Sequence, residues 1–141
     1  MKRFVLDNSV TMRWLLASMD AKDQAYAECV LRSLSDADAV VPGLWHLEVV
    51  NVLMVAERKD HIVVSEVEGF LSQLEALPID TDPLTSRQSF NRILSLSRAY
   101  GLSSYDAAYL ELAVREGLAL ASLDKALVKA AEQAGVAIYQ G

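Results

Sequence analysis

Short apolar segments alternate with longer segments of helical periodicity along this chain, and this alternation is the strongest constraint on its fold. The short segments lie at residues 4–6, 39–41, 77–79, 118–121 and 136–139. Uniformly apolar strands are typical of a sheet covered on both faces, and strands that alternate with helices form parallel βαβ units. The sequence therefore predicts an α/β fold, a three-layer α/β/α sandwich around a short, mostly parallel sheet.

Apolar residues at helical spacing predict the two outer layers. The predicted helices cover residues 9–18, 22–34, 44–58, 65–76, 83–100, 104–116 and 125–134. Ser65 is the predicted N-cap of the fourth of these helices. Gly101 separates the fifth helix from the sixth.

The composition predicts a single domain over residues 1–141. The chain is 52% hydrophobic, which suffices for a substantial core. Because Cys29 is the only cysteine, an internal disulfide and a cysteine-based zinc site are excluded. Polar residues interrupt the N-terminal apolar segment, and no apolar stretch is long enough to span a bilayer. We therefore expect a cytoplasmic protein with no membrane partner.

The net charge of −6 argues against binding a polyanion through bulk charge. It does not exclude a nucleic-acid substrate, because bound divalent cations would invert the local electrostatics. Any nucleic-acid binding must then depend on a local site.

Four carboxylates lie in apolar or element-boundary settings: Asp7, Glu48, Asp106 and Asp124. An ionised carboxylate is costly to remove from water, so each is a helix cap, a paired charge or part of a site. Asp7 directly follows the first predicted strand, and Asp124 closely follows the strand predicted at 118–121. Ligands of such sheets bind beyond the carboxyl ends of the strands. If these two strands are neighbours, their carboxylates meet at one edge.

Local structural roles remain open for these acids. Asp7 could form an Asx turn or an N-cap, and Asp124 could cap the last predicted helix. Asp106 follows Ser103 at the spacing of a capping box. Glu48 lies inside a helix on a mainly apolar face, where capping cannot explain it. For Glu48 the alternative is an ion pair with an arginine.

Clustered carboxylates suit hard divalent cations. Mg²⁺ prefers oxygen ligands and usually takes one or two carboxylates, several waters and substrate phosphate oxygens. Two such ions about 3.5–4 Å apart clamp the attacking and leaving oxygens of a phosphodiester displacement, and they lower the pKa of a bound water. This chemistry needs no histidine or cysteine ligand, which suits a chain with two histidines and one cysteine.

Four motifs in order along the chain resemble those of PIN-domain ribonucleases, and most closely the VapC-type toxins of prokaryotic toxin–antitoxin pairs. The motifs are VLDNSV at residues 5–10, LWHLEVVNVL at 44–53, LSSYDAAYLELA at 102–113 and LASLDKAL at 120–127. The third is the most specific, and together they extend over nearly the whole chain.

The resemblance implies a five-stranded parallel sheet and a pocket that binds Mg²⁺, with Mn²⁺ as a substitute. It implies that Asp7 and Asp106 are the firmest metal ligands. Glu48 would hold metal directly or through water and help to orient the nucleophile, and Asp124 would be the fourth, most variable acid. All four are thus candidate catalytic and metal-binding residues, and Ser9 is a candidate for supporting the pocket.

The resemblance also implies an activity and partners. The expected function is a metal-dependent endoribonuclease toxin that hydrolyses RNA phosphodiester bonds with a metal-activated water and is neutralised by a small antitoxin. A homodimer is expected as well. Two alternatives remain: a non-catalytic PIN-like scaffold module, in which the acids merely cap helices, and a structure-specific DNA nuclease.

Overall fold

A computed structural model of the chain describes residues 2–141. Within these residues the strands are β1 (Lys2–Leu6), β2 (Ala37–Val41), β3 (Ile79–Thr81) and β4 (Ala119–Ala121). The α-helices are α1 (Asn8–Thr11), α2 (Ala21–Ser33), α3 (Trp45–Arg58), α4 (Val64–Glu75), α5 (Thr85–Gln88), α6 (Leu94–Tyr100), α7 (Ser104–Glu116) and α8 (Lys125–Gln133). A 3₁₀ turn at Met12–Trp14 follows α1, and a π-helical turn at Ser89–Ile93 joins α5 to α6.

The four strands form one sheet in the order β3-β2-β1-β4, and all its pairings are parallel. Val5 in β1 is paired with Val40 on one side and with Leu120 on the other. Helices flank the sheet, so the predicted α/β class with a parallel sheet is confirmed.

The strand order creates a topological switch point. The chain advances from β1 to β2 to β3 in one direction and then crosses to the far side of β1 to form β4. The carboxyl ends of β1 and β4 therefore border the crevice at which open parallel sheets bind ligands.

The expectation of a fifth strand, at residues 136–139, is wrong. Leu120 alone forms an isolated parallel bridge to Ile138. Its N–H donates to the carbonyl oxygen of Ala137 and its own carbonyl accepts from the N–H of Tyr139, both at 2.9 Å. Successive strand residues direct their backbone polar groups to opposite sides. In the three-residue β4, the two outer residues face β1, so only Leu120 is left to bond a further neighbour.

Two predicted helices are interrupted. The helix predicted at 9–18 is only the four-residue α1 and its 3₁₀ turn, where the indole N–H of Trp14 donates to the carbonyl oxygen of Ala27 in α2 at 2.8 Å. The helix predicted at 83–100 is divided by the π turn, in which each turn holds one residue more than an α-turn. Tertiary contacts and turn geometry here override local periodicity.

The predicted N-cap of α4 is also wrong. The helix begins one residue before Ser65, and Val63 occupies the N-cap position. The N–H of Val63 donates to Oε1 of Glu66 at 3.1 Å. The side chain of Glu66 therefore bonds the N–H of the N-cap residue, and the N-cap side chain itself accepts no bond from the first turn.

The core includes one helix that is buried on every side along much of its length. In α7 all seven residues from Ala107 to Ala113 are buried, and the helix packs against β1 and β4. Such a helix is held firmly, and it carries Asp106 in its first turn. No helix within residues 2–141 is long and apolar enough to cross a membrane.

Candidate active site

Asp7 lies at the switch point, as the first residue after β1. Its N–H donates to the carbonyl oxygen of Ala121, the last residue of β4, at 2.9 Å. Ser122 follows β4 directly, and its hydroxyl donates to Oδ2 of Asp7 at 2.8 Å. The two neighbouring strands thus bring side chains 115 positions apart in the sequence into hydrogen-bond contact.

The carboxylate of Asp7 is buried without a positive neighbour in its hydrogen-bond network. The residue is 2% exposed, and Oδ2 accepts from the hydroxyls of Ser9 at 2.6 Å and Ser122 at 2.8 Å. The pKa of Asp7 is raised to about 6: burial raises it most, the two hydroxyl donors lower it, and the charges of Asp106 and Glu48 also raise it. Asp7 occupies the N-cap position of α1 but makes no capping bond, so the cap does not explain this residue.

The hydroxyl groups of Ser9 and Ser122 connect the segments that follow β1 and β4. The Oγ of Ser9 accepts from the N–H of Leu123 at 2.9 Å, and the Oγ of Ser122 accepts from the N–H of Asp124 at 3.0 Å. Since both hydroxyls donate to Asp7, the carboxylate is oriented from two sides. Ser9 thus lies where the sequence places a supporting residue. Ser122 was missed, although a hydroxyl directly after a strand and two residues before an acid is a usable signal.

Glu48 projects from α3 and is half-buried. The hydroxyl of Tyr109 in α7 donates to Oε1 of Glu48 at 2.6 Å. Burial raises the pKa of Glu48, the bond from Tyr109 lowers it, and the charge of Asp106 raises it. The alternative of an arginine partner fails, because no ion pair within residues 2–141 includes Glu48. Tyr109 was not singled out from the sequence; its hydroxyl makes it a positioning residue.

A buried indole fixes the start of α3 relative to α1, the short helix that follows β1. Trp45 is 4% exposed, and its Nε1–H donates to Oγ1 of Thr11 at 3.2 Å. Glu48 lies three residues later, on the same side of the helix. The position of Glu48 is therefore tied to α1, whose N-cap residue is Asp7.

Asp106 and Asp124 sit at two helix N-termini and interact with each other. Ser103 is the N-cap of α7, and its Oγ accepts from the N–H of Asp106 at 3.1 Å. Asp124 is the N-cap of α8, and its Oδ1 accepts from the N–H of Leu127 at 3.0 Å. Burial and then the charge of Asp124 raise the pKa of Asp106. The cap interpretation of Asp124 is therefore right, and it leaves Oδ2 of Asp124 free of that bond.

The four acids form an uncompensated group. Charge repulsion connects Asp7 with Asp106 and Glu48, Glu48 with Asp106, and Asp106 with Asp124. Within residues 2–141 no ion pair includes any of the four. Repelling carboxylates without a cation favour proton uptake or cation binding.

The donor set fits a hard divalent cation. Within the described part of the chain, no three His, Cys, Asp or Glu side chains are arranged to hold a metal ion by themselves. Mg²⁺ does not require three, because it commonly keeps several waters and binds through one or two carboxylates. Both hydroxyl bonds to Asp7 use Oδ2, so Oδ1 of Asp7 is free of them.

A covered parallel sheet with unneutralised carboxylates at its switch point defines an α/β protein with an acidic cluster suited to divalent ions. The PIN domain family model matches residues 4–133, and the chain belongs to this family. PIN domains are generally metal-dependent nucleases.

Two solved structures share the fold. PAE2754 from Pyrobaculum aerophilum aligns with a TM-score of 0.66 and 19% identity, over 92% of this chain and 86% of that chain. FitAcB from Neisseria gonorrhoeae aligns with a TM-score of 0.53 and 18% identity, over 96% of each chain. At these identities the likeness concerns the fold alone. No curated protein sequence matches this chain significantly.

Proposed function

We propose that this protein is a metal-dependent endoribonuclease toxin of the VapC type. The observation that carries the proposal is the group of four interacting carboxylates at the switch point, with no cation paired to them among residues 2–141. Membership of the PIN family supports nuclease chemistry, and the motif resemblance supports RNA as substrate and toxin as role.

The proposed division of labour follows the contacts of each acid. Asp7 and Asp106 would hold the divalent ion, Glu48 would hold it directly or through water, and Asp124 would add the fourth charge. Bound Mg²⁺ or Mn²⁺ supplies charge stabilisation at the phosphodiester and lowers the pKa of the attacking water. The chain's own contribution is orientation, because Tyr109 fixes the carboxylate of Glu48 at 2.6 Å.

Cleavage of RNA by carboxylate variants tests the proposal. Asp7→Asn and Asp106→Asn should each lower the rate of RNA cleavage with Mg²⁺ by about 100-fold or more, since loss of an outer-sphere partner alone costs about 10- to 100-fold. Asp80→Asn is the matched control, because Asp80 is 65% exposed and its ion pair with Arg3, at 3.7 Å, is at the surface. Full activity in the Asp7 or Asp106 variant, or in chelator, would contradict the mechanism.

Two further measurements separate the alternatives. The proposed products carry a 3′-hydroxyl and a 5′-phosphate, and a DNA strand of the same sequence should be cut far more slowly than RNA; preferential DNA cleavage would favour the DNA nuclease. Calorimetric titration with Mn²⁺ should give saturable binding that Asp106→Asn weakens. A scaffold module, whose acids only cap helices, would show no saturable binding.

The proposed partners are a small antitoxin and a second copy of the chain. The resemblance to VapC-type toxins supports an antitoxin whose flexible C-terminal tail enters a groove of the toxin. The same resemblance supports a homodimer, for which this chain's apolar helices near the N-terminus supply the proposed contact. A single cysteine suits a reducing, cytoplasmic site of action. Light scattering should give twice the chain mass; a monomer at high concentration would count against the dimer.

A further inference from the structure

A groove of about 660 Å³ lies between α3, the first turn of α7 and the α5–π segment. Its wall is largely apolar, and three of its large side chains are exposed: Phe90 by 96%, Leu47 by 74% and Tyr105 by 62%. Large apolar side chains exposed together mark a binding surface. None of these side chains is used by the acidic pocket.

The groove borders the two helices that carry Glu48 and Asp106. Leu47 directly precedes Glu48 in α3, and Tyr105 directly precedes Asp106 in α7. Consecutive Cα atoms are about 3.8 Å apart, so two walls of the groove begin one residue from two of the four acids. A strand whose phosphodiester lies at the acids therefore has a neighbouring nucleotide within reach of this groove.

The π-helical turn places Phe90 in solvent beside the groove. Phe90 is the second residue of this turn, which runs from Ser89 to Ile93. Turns of this type are uncommon and often occur at functional sites. A phenyl ring that is 96% exposed contributes almost nothing to the core, so core packing does not account for it.

The chemistry around Phe90 suits an unpaired nucleotide. Thr85, Ser86 and Ser89 also line the groove. The hydroxyl of Ser89 donates to the carbonyl oxygen of Thr85 at 3.0 Å, and that of Thr85 donates to Oδ2 of Asp82 at 3.4 Å. The hydroxyl of Ser86 makes neither bond and can bond a base edge or the ribose. Arg87 is exposed, lies three residues before Phe90, and forms no ion pair within residues 2–141. Aromatic stacking with a nearby cation is how proteins bind single strands without a duplex. Because the chain has a net charge of −6, stacking must supply affinity that bulk charge does not.

We propose that this groove binds an unpaired base of the RNA next to the scissile phosphodiester, by stacking on Phe90 with Tyr105 at the opposite wall. The proposal rests on the proposed function for the nature of the substrate and assigns Phe90 as a residue that sets a preference for single strands. Duplex RNA should bind poorly, because its base faces are covered by their neighbours.

Binding of a fluorescein-labelled single-stranded RNA to the whole chain tests the proposal. Anisotropy is measured with Ca²⁺ in place of Mg²⁺, since Ca²⁺ has the same charge and a different coordination geometry. Phe90→Ala should weaken RNA binding on the order of 10- to 100-fold. Phe90→Trp should retain RNA binding, because it keeps an aromatic ring. Phe90→Leu should not retain it, because leucine has no ring on which a base can stack. Met19→Ala is the matched control, because Met19 is fully exposed and does not line the groove; it should bind like the unmodified chain.

Cleavage with Mg²⁺ adds a second readout. Phe90→Ala should raise KM with little change in kcat, which is the signature of lost binding common to ground state and transition state. A series of RNAs, each lacking the base at one position, locates the stacked base. At one position beside the cut, removal of the base should lower the affinity of the unmodified chain. The affinity of the Phe90→Ala variant should not fall further at that position.

The outcomes distinguish this inference from the proposed nuclease activity. Phe90-dependent binding without cleavage would support the groove and contradict the nuclease. Cleavage and binding that do not change in Phe90→Ala would overturn the groove and leave the nuclease intact. Absence of RNA binding by the unmodified chain would overturn the groove as an RNA site and leave a protein partner as its occupant.

Discussion

Asp7 and Asp82 occupy equivalent places in the fold, but only the charge of Asp82 is paired with a cation. Each is the first residue after a strand, and each is buried, at 2% and 6% exposure. The N–H of Asp7 donates to Ala121 in β4, and that of Asp82 donates to Val41 in β2, at 2.9 and 2.8 Å. Backbone geometry and burial therefore do not distinguish the two acids.

The difference is the counter-ion. Arg115 in α7 donates from Nη1 and Nη2 to the two oxygens of Asp82, at 3.2 and 2.8 Å, and from Nε to Glu111 at 2.7 Å. These bonds, to Asp82 first and to Glu111 next, raise the pKa of Arg115. Asp7 receives only hydroxyl donors and faces other carboxylates. A buried acid is thus a site candidate when its charge is left unmatched, and burial alone is not enough.

Removal of the arginine should have the largest effect on stability. Arg115→Met leaves Asp82 and Glu111 buried without their partner, so the free energy of unfolding should fall by about 3–5 kcal/mol. Urea denaturation measures this change. Arg98→Met, at an exposed arginine of α6, is the matched control and should stay within about 0.5 kcal/mol. Similar effects of both substitutions would show that the ion pair is not structural.

Substitution by asparagine should change the free energy of unfolding in opposite directions at the two equivalent acids. In chelator at neutral pH, Asp7→Asn should raise the free energy of unfolding by up to about 3 kcal/mol, because the pKa of Asp7 is raised from 3.8 to about 6. Asp82→Asn should lower it by about 1–3 kcal/mol, because a charged bond to Arg115 is lost. Parallel denaturation curves test both. A loss of stability in both variants would mean that the charge of Asp7 is compensated.

The pH dependence of stability follows from the raised pKa of Asp7. Between pH 3.8 and about 6 the folded chain binds more protons than the unfolded chain, so the contribution of Asp7 is full below this range and is lost as pH rises through it. Glu48 and Asp106, whose pKa values are also raised, act in the same direction. Denaturation in chelator from pH 4 to 8 should show the unmodified chain losing stability relative to Asp7→Asn. A constant difference between the two would contradict the prediction.

The smallest effect concerns the hydroxyl that orients Glu48. Tyr109→Phe removes the donor to Oε1 of Glu48 and should lower the free energy of unfolding by about 1–2 kcal/mol. It should also raise the pKa of Glu48 further, since the bond from Tyr109 lowers it, and so shift the pH profile of cleavage upward. Tyr100→Phe, in α6, is the control. An unchanged pH profile would restrict Tyr109 to packing.

Local patterns in the sequence determined the fold class and the placement of most acids. Apolar runs that alternate with helical periodicity led to the parallel α/β sheet, and Asp7 and Asp124 were placed directly at strand and helix ends. Ser103 and Asp124 were read as caps, because a capping bond spans only three residues. Such features depend on neighbours in the chain, so they can be read without a tertiary structure.

Only the tertiary structure decided which charges are matched. The bond from Tyr109 to Glu48 joins residues 61 apart, and that from Arg115 to Asp82 joins residues 33 apart. Ser122 reaches Asp7 only because β4 lies beside β1 in the sheet. Because β4 has only three residues, it leaves a single residue to pair with the segment expected to form a fifth strand. Strand order and helix packing set these distances, and the free energy of a buried charge depends on them more than on the residue's place in the sequence.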